Sequence, residues 1–272
     1  MPKVDLHTHT IYSDGSLYPE ELLNLAKERG ISTIGITDHD TVNGIEEALI
    51  HGEKIGVEVI PGIEISTCVE DIEIHLLGYF FDFKSSDLIN YLNFFNKARK
   101  ERAKSILKKL KEYNINLTIS DVEEFSKNSP ICRPHIAKAM EAKGYVKNFF
   151  TAFKEYLGDN KSAYEKKVYV SPKNTVDIIH QAGGLVFLAH PGKMKETILQ
   201  EIINSGIDGV ETIHPSHKKV QQKYYKNIVK QYSLLESGGS DFHGGDRNDK
   251  VNFGKYFTTI SNLDKMKKYL NL

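Results

Sequence analysis

The 272-residue sequence has 40% hydrophobic residues, 26% charged residues and no net charge, which suits one large α/β domain or a barrel with an insertion and argues against a general polyanion-binding protein. It has no apolar run of the roughly 18 residues that span a bilayer and no apolar signal segment at the N-terminus, and its two cysteines, Cys68 and Cys132, exclude a disulfide framework and a cysteine-based zinc site. We therefore expect a cytoplasmic protein, with no membrane association, in which His, Asp and Glu hold any metal.

Short apolar runs alternate with amphipathic segments along the first ninety residues. Strands are predicted at 2–9, 31–39, 57–66 and 73–80, and helices at 19–29 and 42–55. Strands that alternate with helices predict a mainly parallel sheet, either open or closed into a barrel.

From about residue 86, apolar side chains recur at three- and four-residue spacing. They predict one long helix, through Leu88, Leu92, Phe95, Arg99, Ala103, Ile106 and Leu110. Shorter helices are predicted at 120–125, 133–144 and 146–158, with no convincing strand before about residue 166. Residues 90–170 carry 17 Lys and Arg against 9 Asp and Glu, whereas the rest carries 19 against 27. We predict a basic helical insertion at 86–166, packed on a scaffold made of residues 1–85 and 167–272.

The alternation of strands and helices returns after the insertion. Strands are predicted at 185–191, 209–215 and 233–239, and helices at 172–182, 195–205, 217–231 and 262–270. The whole chain thus contains about seven strand–helix units.

Potential metal ligands follow the predicted strands. His7 and His9 share one face of the first strand because side chains alternate, although on this stretch alone they are equally well read as hydrogen-bonded residues near a surface. Strand ends and the loops beyond them also carry Asp14, His39, Glu64, His75, His190, Asp241 and His243. Parallel α/β folds gather their functional groups at this edge. Nine such side chains exceed the four to six ligands that one metal takes, so two or three metals are predicted, with Glu64 suited to bridge them.

Seven segments in the same order carry a family resemblance: DLHTHTIYSDG, GITDHD, PGIEIS, IHLLGY, LAHPG, HPSH and GGSDFHG. Together they resemble the PHP (polymerase and histidinol phosphatase) family, in particular its TrpH-like branch of small bacterial phosphoesterases, over nearly the whole chain. The resemblance implies a distorted (β/α)7 barrel whose helical insertion covers the active site. It also implies a trinuclear metal site, with ligands at His7, His9, Asp14, His39, Glu64, His75, His190, Asp241 and His243.

Such a metal site suits the hydrolysis of phosphate esters. Divalent ions lower the pKa of a bound water from about 15.7 toward neutrality, neutralise the phosphoryl oxygens and stabilise the leaving oxygen. No Ser, Cys or Thr beside a base competes as a nucleophile. We expect direct attack by a metal-bridging hydroxide held by Asp14, Glu64 and His243. The resemblance favours manganese, and ligands of nitrogen and oxygen also suit iron, zinc or cobalt.

The TrpH-like resemblance implies a nucleotide substrate. The implied reactions remove the 3′-phosphate of a nucleoside 3′,5′-bisphosphate, or trim short 5′-phosphorylated oligonucleotides from the 5′ end. The family places ICRPHIAKAM over the site, where Arg133 and His135 would bind the phosphate that is not hydrolysed. The alternative is that Arg133 pairs locally with a carboxylate and that His135 is simply exposed.

Other functions and residue roles stay open at this point. A histidinol-phosphate phosphatase, a non-catalytic module serving a polymerase and a metal sensor are alternatives, and no obligate protein partner is indicated. The basic run KARKERAKSILKK is interpreted as a solvated helix face. The aromatic run FFTAF at 149–153 is interpreted as core, with base stacking as the alternative. The roles of Lys193, His214 and His217 are not assigned.

Overall fold

Strands and helices alternate along the chain as the sequence predicts. The computed structural model describes residues 2–70, 72–126, 130–166 and 170–272. The strands are β1 (Lys3–Thr8), β2 (Ile31–Ile36), β3 (Glu58–Val69), β4 (Ile72–Tyr79), β5 (Leu185–Leu188), β6 (Gly209–Ile213) and β7 (Leu235–Gly238). The helices are α1 (Pro19–Glu28), α2 (Ile45–Ile55), α3 (Ser86–Lys111), α4 (Ile119–Ser126), α5 (Arg133–Ala142), α6 (Phe149–Ala152), α7 (Pro172–Gln181), α8 (Glu196–Asn204), α9 (Lys219–Gln231) and α10 (Ile260–Tyr269). A π-helical turn, Phe153–Leu157, continues α6.

All seven strands form one sheet in chain order, from β1 to β7. The sheet is parallel except at β4, which is antiparallel to both β3 and β5. β3 ends at Val69 and β4 begins at Ile72, so the connection is too short for the crossover that parallel neighbours need. The expected mainly parallel sheet is confirmed, with this hairpin as its irregular part.

The two outer strands, β1 and β7, approach each other without forming a continuous ladder. Thr8 pairs in parallel with Phe242, four residues past the end of β7, and the N–H of Asp241 donates to the carbonyl of His7 at 2.9 Å. The sheet is therefore unclosed but curved, consistent with the expected distorted barrel. This curvature brings the chain after β7 beside the carboxyl end of β1.

Helix α3 joins two hydrophobic clusters. Its first half places Leu88 and Leu92 among the side chains that cover the sheet. Its second half, from Ala103 to Leu110, packs with residues of α4, α5 and α6 in a cluster of their own. Each large apolar side chain buried in this way contributes about 1.5–3 kcal/mol, so both ends of α3 are firmly anchored. Arg99 and Arg102 lie between the two clusters.

Within the described residues, the segment 86–166 after β4 has no strand, and no helix could span a membrane. Residues 86–126 and 130–166 contain helices and no strand, as predicted. No helix within the described ranges combines the length and the apolar character needed to cross a bilayer.

Candidate metal centre

His7, in β1, and His9, just past its end, lie side by side at the carboxyl end of the strand. Their ring centroids are 5.2 Å apart and both side chains are fully buried. Because the carboxylate of Glu211 can only accept, Nδ1 of His7 donates to its Oε1, at 3.0 Å. This hydrogen bond leaves Nε2 of His7 directed at the neighbouring carboxylates, 3.3 Å from Oδ1 of Asp241.

The loop after β1 is held by the buried carboxylate of Asp38. It accepts hydrogen bonds from Thr10 N at 2.7 Å, Thr10 Oγ1 at 2.6 Å and Ser13 Oγ at 2.5 Å. These contacts fix the turn that presents Asp14, whose Oδ1 lies 3.3 Å from Nε2 of His243. Asp38 therefore positions a predicted ligand without itself entering the cluster.

Glu64 is the centre of the cluster. Its carboxylate is 1% exposed, and it lies in β3 where the hairpin with β4 brings His75 near. Five imidazole rings approach its two oxygens at 2.8–3.4 Å, from His75, His190, His39, His9 and His7. A carboxylate with two oxygens shared in this way has the placement of a bridging ligand.

The chain after β7 completes the cluster. Oδ1 of Asp241 lies 3.1 Å from Nε2 of His9, and its Oδ2 lies 3.3 Å from Nε2 of His214. Nδ1 of His243 donates to the carbonyl of Asp241 at 2.8 Å, and the ring of His243 stacks on His9 with centroids 4.1 Å apart. All nine side chains predicted as ligands thus lie together, and their role as ligands stays a prediction.

Three residues around this cluster adopt a left-handed backbone conformation. The φ angles are 52° at Asp40, 26° at His190 and 51° at Asp241. Non-glycine residues in this region store about 1–3 kcal/mol of strain each, and such strain concentrates at functional sites. All three follow a strand end, where the chain turns over the cluster.

Opposite charges hold the cluster together. Burial alone would raise the pKa of Glu64, but His39, His75 and His7 outweigh it and hold the pKa well below its usual range. The pKa values of Asp14 and Asp241 are likewise held well below normal, against the effect of burial. Burial lowers the pKa of His39 to about 3, whereas at His75 the carboxylates of Glu64 and Glu73 overcome burial and raise the pKa to about 10. The carboxylates are therefore ionised, as a divalent cation requires.

A small cavity beside the cluster is lined by three arginines. It has a volume of about 160 Å³ and contains Arg99, Arg102 and Arg133 together with Asp14, His39 and His75. The guanidinium of Arg99 is buried, forms an ion pair with Asp40 and donates to Cys132 Sγ at 3.2 Å. Nε of Arg102 donates to the carbonyl of Glu165 at 2.8 Å. The interpretation of the basic run as a solvated face is therefore wrong for these two residues, which point inward.

Arg133 and His135 have local partners in this structure. Nη1 of Arg133 donates to Oδ1 of Asp159 at 2.7 Å and to the carbonyl of Leu157 at 3.0 Å. His135 is buried, and its Nδ1 accepts from the N–H of Cys132 at 3.2 Å. Burial lowers the pKa of His135 to about 4, so it is neutral near pH 7. Of the alternative reading, the exposed His135 is wrong and the local ion pair of Arg133 is present. The binding of a phosphate by Arg133 and His135 stays a prediction.

The unassigned residues His217 and Lys193 lie near His190. Nδ1 of His217 donates to the carbonyl of Thr212 and its Nε2 accepts from the N–H of Gly192, both at 3.1 Å. The imidazole of His217 therefore links the end of β6 to the segment that follows His190. Lys193 lines an open cavity of about 550 Å³ next to His190.

Comparison with known proteins identifies the fold family. Residues 5–172 match the PHP domain family. The chain belongs to the PHP family. A 5′-3′ exoribonuclease from Haemophilus influenzae is 34% identical over 247 residues, which cover 89% of this chain and 90% of that protein. A 3′,5′-nucleoside bisphosphate phosphatase from Chromobacterium violaceum is 30% identical, over 89% of this chain and 88% of that protein.

A solved structure supports the same family. A Bifidobacterium adolescentis protein proposed to be a metal-dependent phosphoesterase superimposes with a TM-score of 0.89 at 29% identity. The match covers 98% of this chain and 96% of that one. The structural similarity therefore includes residues 86–166 as well as the rest of the chain.

The residues of this PHP chain fit divalent metal ions. Several buried ligand atoms lack a hydrogen-bond partner within the described residues: Nε2 of His7, Nδ1 of His9, Oδ1 of Asp14, Nδ1 of His39 and Nε2 of His243. Leaving a buried polar atom unpaired costs about 1–3 kcal/mol, which a bound cation would relieve. The donor atoms are all nitrogen or oxygen. They form four overlapping groups, His9–Asp14–His39–His243, His7–Glu64–His190, His7–His214–Asp241 and His39–Glu64–His75.

Sequence reasoning missed four residues around this PHP site. Arg99 lay within the buried stripe predicted for α3, and a charge in such a stripe signals a buried partner. Arg102 follows three residues later on the same face. Glu211 lies in the buried part of β6, where glutamate rarely occurs unpaired. His214, left unassigned, belongs to one of the four possible metal groups.

Proposed function

We propose that this chain is a metal-dependent phosphoesterase that hydrolyses nucleotide phosphates. Its reactions are removal of the 3′-phosphate from nucleoside 3′,5′-bisphosphates and 5′-to-3′ trimming of short 5′-phosphorylated oligonucleotides. The observation that carries the proposal is the three-arginine cavity against the predicted metal ligands. The names of the relatives from Haemophilus and Chromobacterium agree with both reactions.

The nine predicted ligands hold three divalent ions in this proposal, with manganese expected and iron, zinc or cobalt as substitutes. The support is the mixed nitrogen and oxygen donor set and the overlap of its groups at Glu64, His7 and His39. Such ions neutralise phosphoryl oxygens and lower the pKa of an attacking water.

The chain's own residues orient the substrate and the ligands. Asp38 fixes the loop of Asp14, and Glu211 fixes the ring of His7 through Nδ1. The guanidinium groups of Arg102 and Arg133 bind the second phosphate, which is not cut, because their planar donors match phosphate oxygens. Arg99 lines the same cavity, and its ion pair with the buried carboxylate of Asp40 fixes its position there.

Residues 86–166 form the insertion that covers this site, on a scaffold of residues 1–85 and 167–272. The division is supported by the separate hydrophobic cluster of α4, α5 and the second half of α3. It is also supported by the origin of the cavity's walls, because all three arginines come from the insertion and Asp14, His39 and His75 come from the scaffold.

The charge of the cavity favours a nucleotide over histidinol phosphate. Histidinol phosphate carries a cationic amine, which gains nothing from the guanidinium groups of Arg102 and Arg133, whereas a phosphate is attracted to them. A nucleoside bisphosphate offers a second phosphate to the same groups.

The test is phosphate release by manganese-reconstituted protein, with and without chelator. Adenosine 3′,5′-bisphosphate, a 5′-phosphorylated trinucleotide and histidinol phosphate are compared, and we expect chelator-sensitive turnover of the first two. A matched pair of variants, Arg102→Gln in the cavity and Lys100→Gln on the exposed face of α3, separates binding of the second phosphate from general charge. Turnover of histidinol phosphate alone would contradict the proposal. The absence of phosphate release from all three substrates, with metal bound, would contradict it as well.

A further inference from the structure

A second cavity next to the metal-ligand cluster has an aromatic wall. Its volume is about 500 Å³. The insertion contributes its apolar side chains, Pro134, Phe149, Phe150 and Phe153. The scaffold contributes its facing polar wall, Asp14, Ser16, His243, Asp246 and Arg247. The cavity therefore opens directly onto two predicted metal ligands, Asp14 and His243.

The three phenylalanines have different surroundings. Phe149 and Phe153 pack against the hydrophobic cluster of the insertion, with ring centroids 5.1 Å apart. Phe150 is 69% exposed and meets the edge of Phe149 at a centroid distance of 5.5 Å. The exposed ring of Phe150 lines the cavity beside the two other phenylalanines, so it is available to a ligand with an apolar face.

The backbone holds this aromatic wall in place. Asn148 caps the N-terminus of α6, and its side-chain oxygen accepts hydrogen bonds from Thr151 N at 2.9 Å and Thr151 Oγ1 at 3.0 Å. The helix then widens into the π-helical turn at Phe153, an irregularity that often occurs at functional sites. The rings of Phe149 and Phe150 are therefore presented from a capped turn.

The aromatic cavity and the arginine cavity adjoin each other. Both are lined by Asp14, Pro134 and Phe153. A nucleotide carries its base, its 3′-phosphate and its 5′-phosphate on one sugar, so it needs three adjoining subsites. Three such subsites adjoin one another around Asp14: the metal-ligand cluster, the arginine cavity and the aromatic cavity.

We propose that Phe150, supported by Phe149 and Phe153, stacks on the nucleobase of the nucleotide whose 3′-phosphate is cut. This inference rests on the proposed function and assigns its base-binding subsite. Every base has a π-face, so stacking on the ring of Phe150 tolerates all four bases. The subsite holds the base while the arginines hold the 5′-phosphate.

The experiment compares a substrate that has a base with one that lacks it. Adenosine 3′,5′-bisphosphate and 1-deoxyribose 3,5-bisphosphate are tested with the wild-type protein, Phe150→Ala and Phe94→Ala. Phe94 is a matched control, because it is 58% exposed on α3 and does not line the cavity. We expect Phe150→Ala to lower kcat/KM about tenfold for the adenosine compound and to leave the base-free compound unchanged. Phe94→Ala should leave both unchanged.

A binding probe reads the stacking directly. The 5′-monophosphate of 2-aminopurine riboside has no 3′-phosphate to lose, and its fluorescence is quenched by stacking. The sequence contains no tryptophan, so the probe is excited with little protein background. With zinc-loaded protein, we expect quenching by the wild type and by Phe94→Ala, and about tenfold weaker binding to Phe150→Ala.

The outcomes separate this inference from the function on which it rests. If the wild type is active but Phe150→Ala affects both substrates equally, or neither, base stacking at Phe150 is wrong and the phosphoesterase proposal stands. If the wild type hydrolyses neither substrate, the proposed function is wrong. In that case the 2-aminopurine probe still tests the base-binding subsite. Quenching that is lost in Phe150→Ala supports stacking at Phe150, and quenching that persists in Phe150→Ala overturns it.

Discussion

Both carboxylate oxygens of Glu211 are engaged by residues predicted to bind metal. Oε1 accepts from Nδ1 of His7 at 3.0 Å, and Oε2 accepts from the backbone N–H of His190 at 2.8 Å. The first contact fixes the tautomer of His7, so that Nε2 carries the lone pair directed into the cluster. The second contact holds the strained backbone at His190. One buried side chain thus positions two predicted ligands, one in β1 and one in the loop after β5.

Glu211→Gln should weaken metal binding by about 10- to 100-fold, the usual cost of losing a partner that orients a ligand histidine. The amide can present its N–H group to Nδ1 and so favour the wrong tautomer. Metal affinity is measured by calorimetric titration of the metal-free protein. Glu236→Gln is the control, because Glu236 lies on the adjacent strand β7 and pairs with Lys226. An affinity equal to that of the wild type in folded Glu211→Gln would show that the contact does not orient a ligand.

The candidate ligands at the strand ends could be predicted from the sequence because their positions follow from local rules. Alternation along β1 puts His7 and His9 on one face whatever the rest of the chain does, and parallel connections direct strand ends to one edge. The position of His75 does not follow from these two rules, because β4 is antiparallel to its neighbours. That direction follows from the short connection between β3 and β4. The sequence predicted β4 as a strand but not its direction.

The partners of the arginines depend on contacts between distant segments. Arg99 meets Asp40, 59 residues away, and Arg133 meets Asp159, 26 residues away. Helix periodicity gives the face on which Arg99 lies, but it does not give the element that this face contacts. The buried stripe therefore contained the signal that Arg99 is internal without identifying its partner.

Divalent metal should stabilise the fold, since the cluster assembles its ligands only in the native state. At a free concentration 100-fold above Kd, binding adds about 2.7 kcal/mol, which raises the Tm by about 5 to 10 °C for a chain of this size. The measurement is thermal unfolding with manganese or with chelator.

The same shift should be much smaller in Glu64→Gln, because Glu64 belongs to two of the four possible metal groups. His180→Gln is the control, because His180 pairs with Asp208 outside the cluster and should keep the full shift. A Tm that does not respond to manganese in the wild type would contradict the metal centre. An undiminished response in Glu64→Gln would contradict the role of Glu64.

Arg99→Met should destabilise the protein by about 3 to 5 kcal/mol, because it leaves the buried carboxylate of Asp40 without its partner. Adding Asp40→Asn removes the uncompensated charge and should restore part of this loss. Denaturant unfolding of the two single variants and the double variant measures the coupling. Lys100→Met, which breaks an exposed pair with Glu123, should cost less than about 1 kcal/mol. Additive losses in the double variant would mean that the pair is not coupled.

Arg133 and Asp159 should have opposite effects on recognition of the 5′-phosphate. The carboxylate of Asp159 is 74% exposed, and the 5′-phosphate of the substrate would compete with it for the side chain of Arg133, which is 17% exposed. Asp159 thus occupies Arg133 until a phosphate binds. Within the described residues, Arg133 donates to Leu157 and to Asp159 through the same nitrogen, Nη1. A guanidinium has five donors, so binding of a phosphate needs the exchange of one partner and not a new side-chain position.

Arg133→Ala should therefore raise KM for adenosine 3′,5′-bisphosphate about 10- to 100-fold and leave adenosine 3′-monophosphate little changed, because only the first has a 5′-phosphate. Asp159→Asn should lower KM for the bisphosphate by about two- to fivefold, since an exposed ion pair is worth about 1 kcal/mol or less. Lys143→Ala, which removes an exposed lysine paired with Asp121 on the same insertion, controls for net charge. Equal losses of Arg133→Ala on both substrates would assign this residue to folding of the insertion, because a phosphate contact acts only where the phosphate is present.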